Sequence, residues 1–248
     1  MNKIEYPDGQ INIQIEDFNP IIKMRINSYN DLFELKSICD VYKQNNKQLE
    51  QLIIPCLFGQ RSDRRFQSNE SFGLKIICDF INSMNFNKVS ILDTHSDVSL
   101  ALINNSEKIE PSEFIAKTII DIIPNNLVLI SPDAGAYKKV FKYAESYMLP
   151  LVAANKFRDL NGKITLNILG NVKDKDCLII DDICDGGYTF IKLAEKLKEQ
   201  GANKIFLYVS HGYFNKGFEE LSKNITKIYC TNSIKNINNP IIKQYNII

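Results

Sequence analysis

With 248 residues, the chain has room for one large domain or two of modest size. Its 44% hydrophobic and 24% charged residues are typical of a globular protein, and a formal net charge of +1 gives no bulk reason to expect nucleic acid or a membrane surface as a partner. MNKIEYPDGQ holds no hydrophobic signal core and no apolar run reaches membrane-spanning length, so a cytoplasmic chain is expected.

Short apolar runs alternate with amphipathic stretches along the chain. Leu32, Leu35, Cys39 and Tyr42 share one face of a helix expected near 31–45. The run at 51–57 reads as a strand, and Phe72, Ile76, Phe80 and Met84 mark a helix near 71–84. A strand at 88–93 follows, then the most polar break of the chain, NNSEKIEPSEF at 104–114. Further strands are expected at 127–131, 149–154, 177–181 and 204–210, several of them apolar throughout and therefore covered on both faces. Phe190, Leu193, Ala194 and Leu197 line a helix over 189–200 that stops at Gly201. Strand–helix alternation predicts an α/β fold of parallel sheets flanked by helices. The polar break divides it into halves at 1–110 and 111–248, with the last fifteen or so residues packing back on the first half. Six cysteines (39, 56, 78, 177, 184, 230) show neither CxxC nor metal-ligand spacing and read as reduced, core-filling thiols.

The stretch CLIIDDICDGGYTF, 177–190, carries the chemistry. An apolar strand runs into Asp181 and Asp182, and Asp185 precedes two glycines and a helix start. In open α/β sheets ligands sit beyond the carboxyl ends of the strands. Gly186 and Gly187 permit backbone geometry closed to other residues, and the amides up to Thr189 would face an anion at the positive end of the helix. Carboxylates repel phosphate but suit sugar hydroxyls or a hydrated Mg²⁺. A ligand with a phosphate at one end and sugar hydroxyls beside it satisfies both halves.

This stretch resembles the phosphosugar loop of type I phosphoribosyltransferases, and most closely that of the ribose-phosphate pyrophosphokinases (PRPP synthetases). Other segments resemble the second family in the same order: YPDGQINIQI (6–15), NDLFEL (30–35), IPCLFGQRSDRR (54–65), DTHS (93–96), SPDAGAYKKV (131–140), NKFRD (155–159), SHGYF (210–214) and CTNSI (230–234). The resemblance implies two phosphoribosyltransferase-like domains, the first binding ATP and the second ribose 5-phosphate. It implies transfer of pyrophosphate from Mg²⁺–ATP to the C1 hydroxyl of ribose 5-phosphate, giving PRPP and AMP.

By that resemblance Lys156 and Arg158 lie on a mobile loop and stabilise the transferring phosphates. Asp181, Asp182, Asp185, Gly186, Gly187, Tyr188 and Thr189 bind ribose 5-phosphate. Arg61, Ser62, Asp63 and His95 contact ATP, with Arg64 beside them, and Asp93, His95 and Asp133 serve Mg²⁺. On the residues alone, Asp133 reads equally as a turn acid that starts the next helix, and His211 as structural or as near the ribose site. Tyr6, Asp8, Gly9 and Gln10 would reach the adenine of a neighbouring subunit, which implies a homo-oligomer with a shared ATP site.

The chain departs from the family pattern. It starts where that family's F-P-D-G-E segment stands, so a short form lacking the usual N-terminal unit is expected. Gln10 replaces Glu, Ser62 replaces Gln, and Gly186-Gly187-Tyr188-Thr189 replaces Thr-Gly-Gly-Thr. Other readings therefore stand beside the main one: a pyrophosphokinase acting on a larger derivative such as ADP-ribose, a noncatalytic regulatory or binding subunit, and a phosphoribosyltransferase that consumes PRPP.

Overall fold

Ser28 opens the first long helix, its hydroxyl accepting the Asp31 amide at 3.3 Å. In the computed structural model, which describes residues 1–122, 126–158 and 164–247 but not the side chains at 156–158 and 164–165, the chain divides into two compact units, Met1–Glu110 and Pro111–Ile247. The first holds β1 (Asn2–Glu5), β2 (Ile11–Gln14), β3 (Ile21–Lys23), α1 (Tyr29–Gln44), β4 (Gln51–Ile54), α2 (Gly73–Asn82), β5 (Lys88–Leu92), α3 (Val98–Leu102) and β6 (Ser106–Ile109). β1 and β2 form an antiparallel hairpin, while β3, β4, β5 and β6 make a parallel four-stranded sheet in that order. Strand β4 ends before Pro55, which has no N–H to donate to a ladder, so the run expected to 57 is shorter. Leu35, Leu52, Ile54, Leu74, Ile77 and Ile91 fill the core between this sheet and its helices.

The second unit holds α4 (Ser112–Ile122), β7 (Leu127–Ser131), α5 (Ala134–Tyr147), β8 (Leu151–Arg158), β9 (Ile164–Leu169), β10 (Asp176–Cys184), α6 (Tyr188–Glu199), β11 (Ile205–Gly212), α7 (Glu219–Ser222), β12 (Lys227–Thr231) and β13 (Ile242–Tyr245). Its seven strands run in the order β13-β12-β11-β10-β7-β8-β9. All neighbours are parallel except β8 and β9, so the expected parallel sheet carries one antiparallel edge strand. β13 pairs with β12 and belongs to this sheet. One core lies against α6, with Val128, Ile179, Leu193 and Leu207, and a second against α4 and α5, with Leu129, Ile180, Val140 and Tyr208. The two faces of β10 thus bury alternate residues into different cores, which is why the strand reads as one apolar run.

From β7 the chain crosses by α5 to β8 on one side, and from β10 by α6 to β11 on the other. The strand order reverses between β7 and β10, and the crevice at the carboxyl ends of such a pair is where this class of sheet receives ligands. All six cysteines are buried thiols outside any disulfide. Burial pushes the thiols of Cys78, Cys177, Cys184 and Cys230 up to about 12, so they remain protonated core fillers.

Candidate active site

Strand β10 is longer than its sequence suggests. Its ladder with β7 ends at Ile179–Ile130, but pairing with β11 continues through Ile183–His211 to Cys184–Gly212. Asp181 and Asp182 therefore sit within a strand, past the end of β7, rather than in the turn after it. The Asp182 amide donates to Asp181 Oδ1 at 2.9 Å. Burial, followed by the neighbouring charge of Asp182, raises the Asp181 carboxyl well above the usual carboxylate range, and Asp133 adds to the shift. Asp133 stands at the end of β7 and caps α5, its Oδ1 accepting the Ala136 amide at 3.0 Å. The helix-starting role read for Asp133 is present, and the charge of the same residue acts on Asp181.

Past Cys184 the chain is clasped from 30 residues away. Asn215 donates its side-chain amide to Asp185 Oδ1 at 2.7 Å and its backbone N–H to the Asp185 carbonyl at 3.1 Å. Gly187 has φ +79°, and a Cβ there would stand 3.1 Å from the Leu221 side chain, so conformation and space both require glycine. α6 then starts at Tyr188, with no side chain capping it among the described residues. Amides at a helix start of this kind are donors suited to a phosphate. Tyr188 is 61% exposed, so its ring stands outside the core. His211 is fully buried, its Nδ1 2.9 Å from Ser233 Oγ, as a structural residue would be.

The first unit gathers the residues read as ATP contacts. Tyr6, Asp8, Gly9 and Gln10 form the β1–β2 turn, closed by Tyr6 N–H to the Gln10 carbonyl at 2.8 Å and by the Gln10 amide to Asp8 Oδ1 at 3.0 Å. Tyr6, Asp8 and Gln10 line an open cleft with Pro7. Buried Gln60 joins the other two segments: its Oε1 accepts the His95 amide at 2.9 Å, so the loop after β4 lies against the loop after β5. Asp63 is buried and held below the usual carboxylate range, chiefly by the Arg64 guanidinium at 2.7 and 3.0 Å. Arg61, Ser62 and His95 are exposed. Asp93 is 1% exposed, has φ +43°, and its Oδ1 lies 3.7 Å from Lys108 Nζ. The Thr94 hydroxyl beside it is buried with no hydrogen-bond partner among the described residues. Asn215 and Gln60 were not singled out from the sequence; an amide side chain that bridges segments far apart in the chain leaves no local pattern.

Lys156 and Arg158 have strand backbone in β8, paired with Leu166 and Ile164 of β9. The expected loop is at this point a hairpin arm, and the side chains of both residues lie outside the described part of the structure. Among the described residues no three His, Cys, Asp or Glu side chains are placed to hold a metal ion. Asp93 and His95 belong to the first unit and Asp133 to the second. Mg²⁺ that arrives on a polyphosphate keeps most of its waters and needs only one or two protein carboxylates, and each unit offers one, Asp93 in the first and Asp133 in the second.

Residues 156–244 match the family model described as the phosphoribosyl synthetase-associated domain. The fold is shared with the crystal structure of phosphoribosylpyrophosphate synthetase from Mycobacterium smegmatis, with a TM-score of 0.87 over 99% of this chain and 85% of that one, at 19% identity. The architecture is thus the two-unit α/β fold of that synthetase. The ribose-phosphate pyrophosphokinase of Mycoplasma genitalium is 29% identical over 231 residues, 90% of this chain and 70% of that protein. The same enzyme of Mycoplasma pneumoniae is 30% identical over 220 residues, 85% of this chain and 67% of that one. The chain belongs to the ribose-phosphate pyrophosphokinase family.

Proposed function

We propose that this chain transfers the pyrophosphoryl group of ATP to the C1 hydroxyl of ribose 5-phosphate, releasing PRPP and AMP. One observation carries the reading: a half-buried carboxylate pair, Asp181 and Asp182, stands just before a glycine turn that opens onto a helix start. Acids suited to hydroxyls and amides suited to a phosphate lie along one short stretch, which is the distribution of groups on a pentose phosphate. Neither an ADP-ribose-like acceptor nor a noncatalytic subunit draws support from the relatives, which carry the name ribose-phosphate pyrophosphokinase.

In this reading Asp181 and Asp182 accept hydrogen bonds from the ribose hydroxyls and fix the ring, while the amides of Gly186 to Thr189 hold the 5-phosphate. Asn215 keeps the Asp185 end of that turn in place. The C1 oxygen attacks the β-phosphorus of ATP, the bond from that phosphorus to the α–β bridging oxygen breaks, and AMP leaves. The C1 hydroxyl loses its proton to solvent as the new P–O bond forms. Lys156 and Arg158 neutralise charge on the transferring phosphates, an electrostatic role. Arg61, Ser62, Asp63 and His95 bind the nucleotide, and the Thr94 hydroxyl is available to it. Mg²⁺ bound with ATP would be held by Asp93 and His95 of the first unit and would offset polyphosphate charge, and Asp133 of the second unit would serve a second cation. The turn Tyr6–Gln10 reads the adenine bound to a neighbouring subunit, so the active form is a homo-oligomer. Among the described residues no helix is long and apolar enough to cross a membrane.

Incubation with Mg²⁺, ATP and either ribose 5-phosphate or ADP-ribose, with AMP followed by chromatography, tests the reaction. Release of AMP only with ribose 5-phosphate is expected. Release only with ADP-ribose, or with neither, would sink it.

A further inference from the structure

The segment that clasps the glycine turn carries a cation that sequence reasoning did not single out. Residues 213–215, just before Lys216, are pinned to the end of β10 and to Asp185, and a local turn follows. The Tyr213 amide donates to the Cys184 carbonyl at 2.9 Å, Asn215 makes its two bonds to Asp185, and the Gly217 amide donates to the Phe214 carbonyl at 3.0 Å. Phe214 is buried and packs on Phe218 with ring centroids 5.0 Å apart. The backbone at Lys216 is therefore set by a buried aromatic and four hydrogen bonds. From there the side chain runs along Gly186: its Cδ, Cγ and Cε lie 3.4, 3.5 and 3.6 Å from the point a Cβ on Gly186 would occupy. The ammonium is one bond further on, about 1.5 Å from Cε. It stands within about 5 Å of the glycine whose amide opens the turn, and Lys216 is exposed, so a ligand can reach it.

We propose that Lys216 is a substrate-binding residue that supplies a side-chain cation to the 5-phosphate of the sugar held on the turn at Gly186–Thr189. The proposal rests on the ribose 5-phosphate reading above and deepens it. Amide dipoles alone must hold a dianion next to Asp133, Asp181, Asp182 and Asp185, four acids at the same end of the sheet, and a lysine beside the turn offsets that repulsion. A Cβ at Gly186 would be in ordinary van der Waals contact with the lysine stem.

The test measures KM for ribose 5-phosphate and for ATP in the wild type, Lys216→Ala and Lys216→Arg, with calorimetric binding of ribose 5-phosphate and of unphosphorylated ribose beside them. A charge-assisted contact predicts a loss of about ten- to a hundredfold for ribose 5-phosphate in Lys216→Ala. KM for ATP and any affinity for ribose should stay within about twofold, Lys216→Arg should recover most of the loss, and added salt should shrink it. A Lys216→Ala protein with an unchanged KM for ribose 5-phosphate, or a Lys216→Arg protein as impaired as the alanine variant, overturns the role of Lys216 alone. A wild type that neither binds ribose 5-phosphate nor releases AMP overturns the functional reading, and this role with it.

Discussion

An aspartate whose charge is opposed by burial and by its neighbour costs the ligand-free protein stability. The folded-state pKa of Asp181 is raised, so the folded protein keeps a proton that the unfolded chain has lost. Stability is then full below the ordinary carboxylate range and falls as pH rises through the raised value. Asp181→Asn removes the ionisation while keeping the oxygen that accepts the Asp182 amide. The variant should melt a few degrees higher than wild type at pH 7.5, at about 2–4 °C per kcal/mol for a protein of this size, and the difference should close toward pH 4; thermal scans across that range decide it. The same substitution should raise KM for ribose 5-phosphate by about tenfold or more with KM for ATP unchanged, because an amide replaces one of the carboxyl oxygens that accept from the sugar hydroxyls. At Lys156 the expectation is different in kind. A cation that acts on transferring charge should, in Lys156→Ala, lower kcat by about 10²–10³ with ATP affinity nearly intact. Equal kcat in single-turnover measurements would remove Lys156 from the reaction.

Among the elements, the outer edge of the second sheet depends on one acid. Asp121 of α4 meets Lys243 Nζ at 2.6 Å, Lys227 Nζ at 3.0 Å and Tyr229 OH at 2.9 Å, tying the helix to β12 and β13. Lys243 foremost, then Lys227 and Tyr229, pull its carboxyl far below the usual range. Asp121→Asn should destabilise the fold by about 1–2 kcal/mol at neutral pH, the partial exposure of the cluster trimming the gain. A depressed folded pKa places that stability above the ordinary carboxylate pKa, so the gap in urea midpoints should be full at pH 7 and narrow as pH falls below about 4. A gap independent of pH would mean that packing, not charge, holds the edge.

The same elements show what the sequence reveals and what it hides. β7, β10 and β11 are buried on both faces and read as apolar runs, and Gly201 marks the end of α6. β10 reads as stopping at Asp181 because two acids look like a strand end; the ladder with β11, formed by residues far along the chain, carries them onward. α4 lies partly inside the polar break, and β13, IKQY, is a half-buried edge strand with no run to notice. The acid–glycine motif of the site is local and legible. The Asn215 clasp, the Gln60 bridge and the Lys216 stem are long-range contacts, so they emerge only on folding.

For the molecule as a whole, two α/β units divide the labour: the residues proposed for nucleotide binding cluster in Met1–Glu110, and those proposed for the sugar in Pro111–Ile247. If the Tyr6–Gln10 turn serves the adenine of a neighbouring subunit, defects in the two parts should complement each other. Tyr6→Ala and Lys156→Ala proteins, each impaired alone, should regain about a quarter of wild-type activity per shared site when co-expressed and randomly assembled, because one site in four then receives both intact parts. Mixed assemblies with no more activity than the two variants measured apart would mean that each chain supplies its own adenine contacts.

The central claim is that main-chain amides after Ile183 grip a phosphate while the adjoining acids anchor its sugar. A crystal structure of the protein with ribose 5-phosphate tests this most directly. The account predicts the phosphate on the amides of Gly186 to Thr189 and the ring hydroxyls within hydrogen-bond distance of Asp181 and Asp182. Ribose 5-phosphate bound elsewhere, with that turn empty, would contradict it.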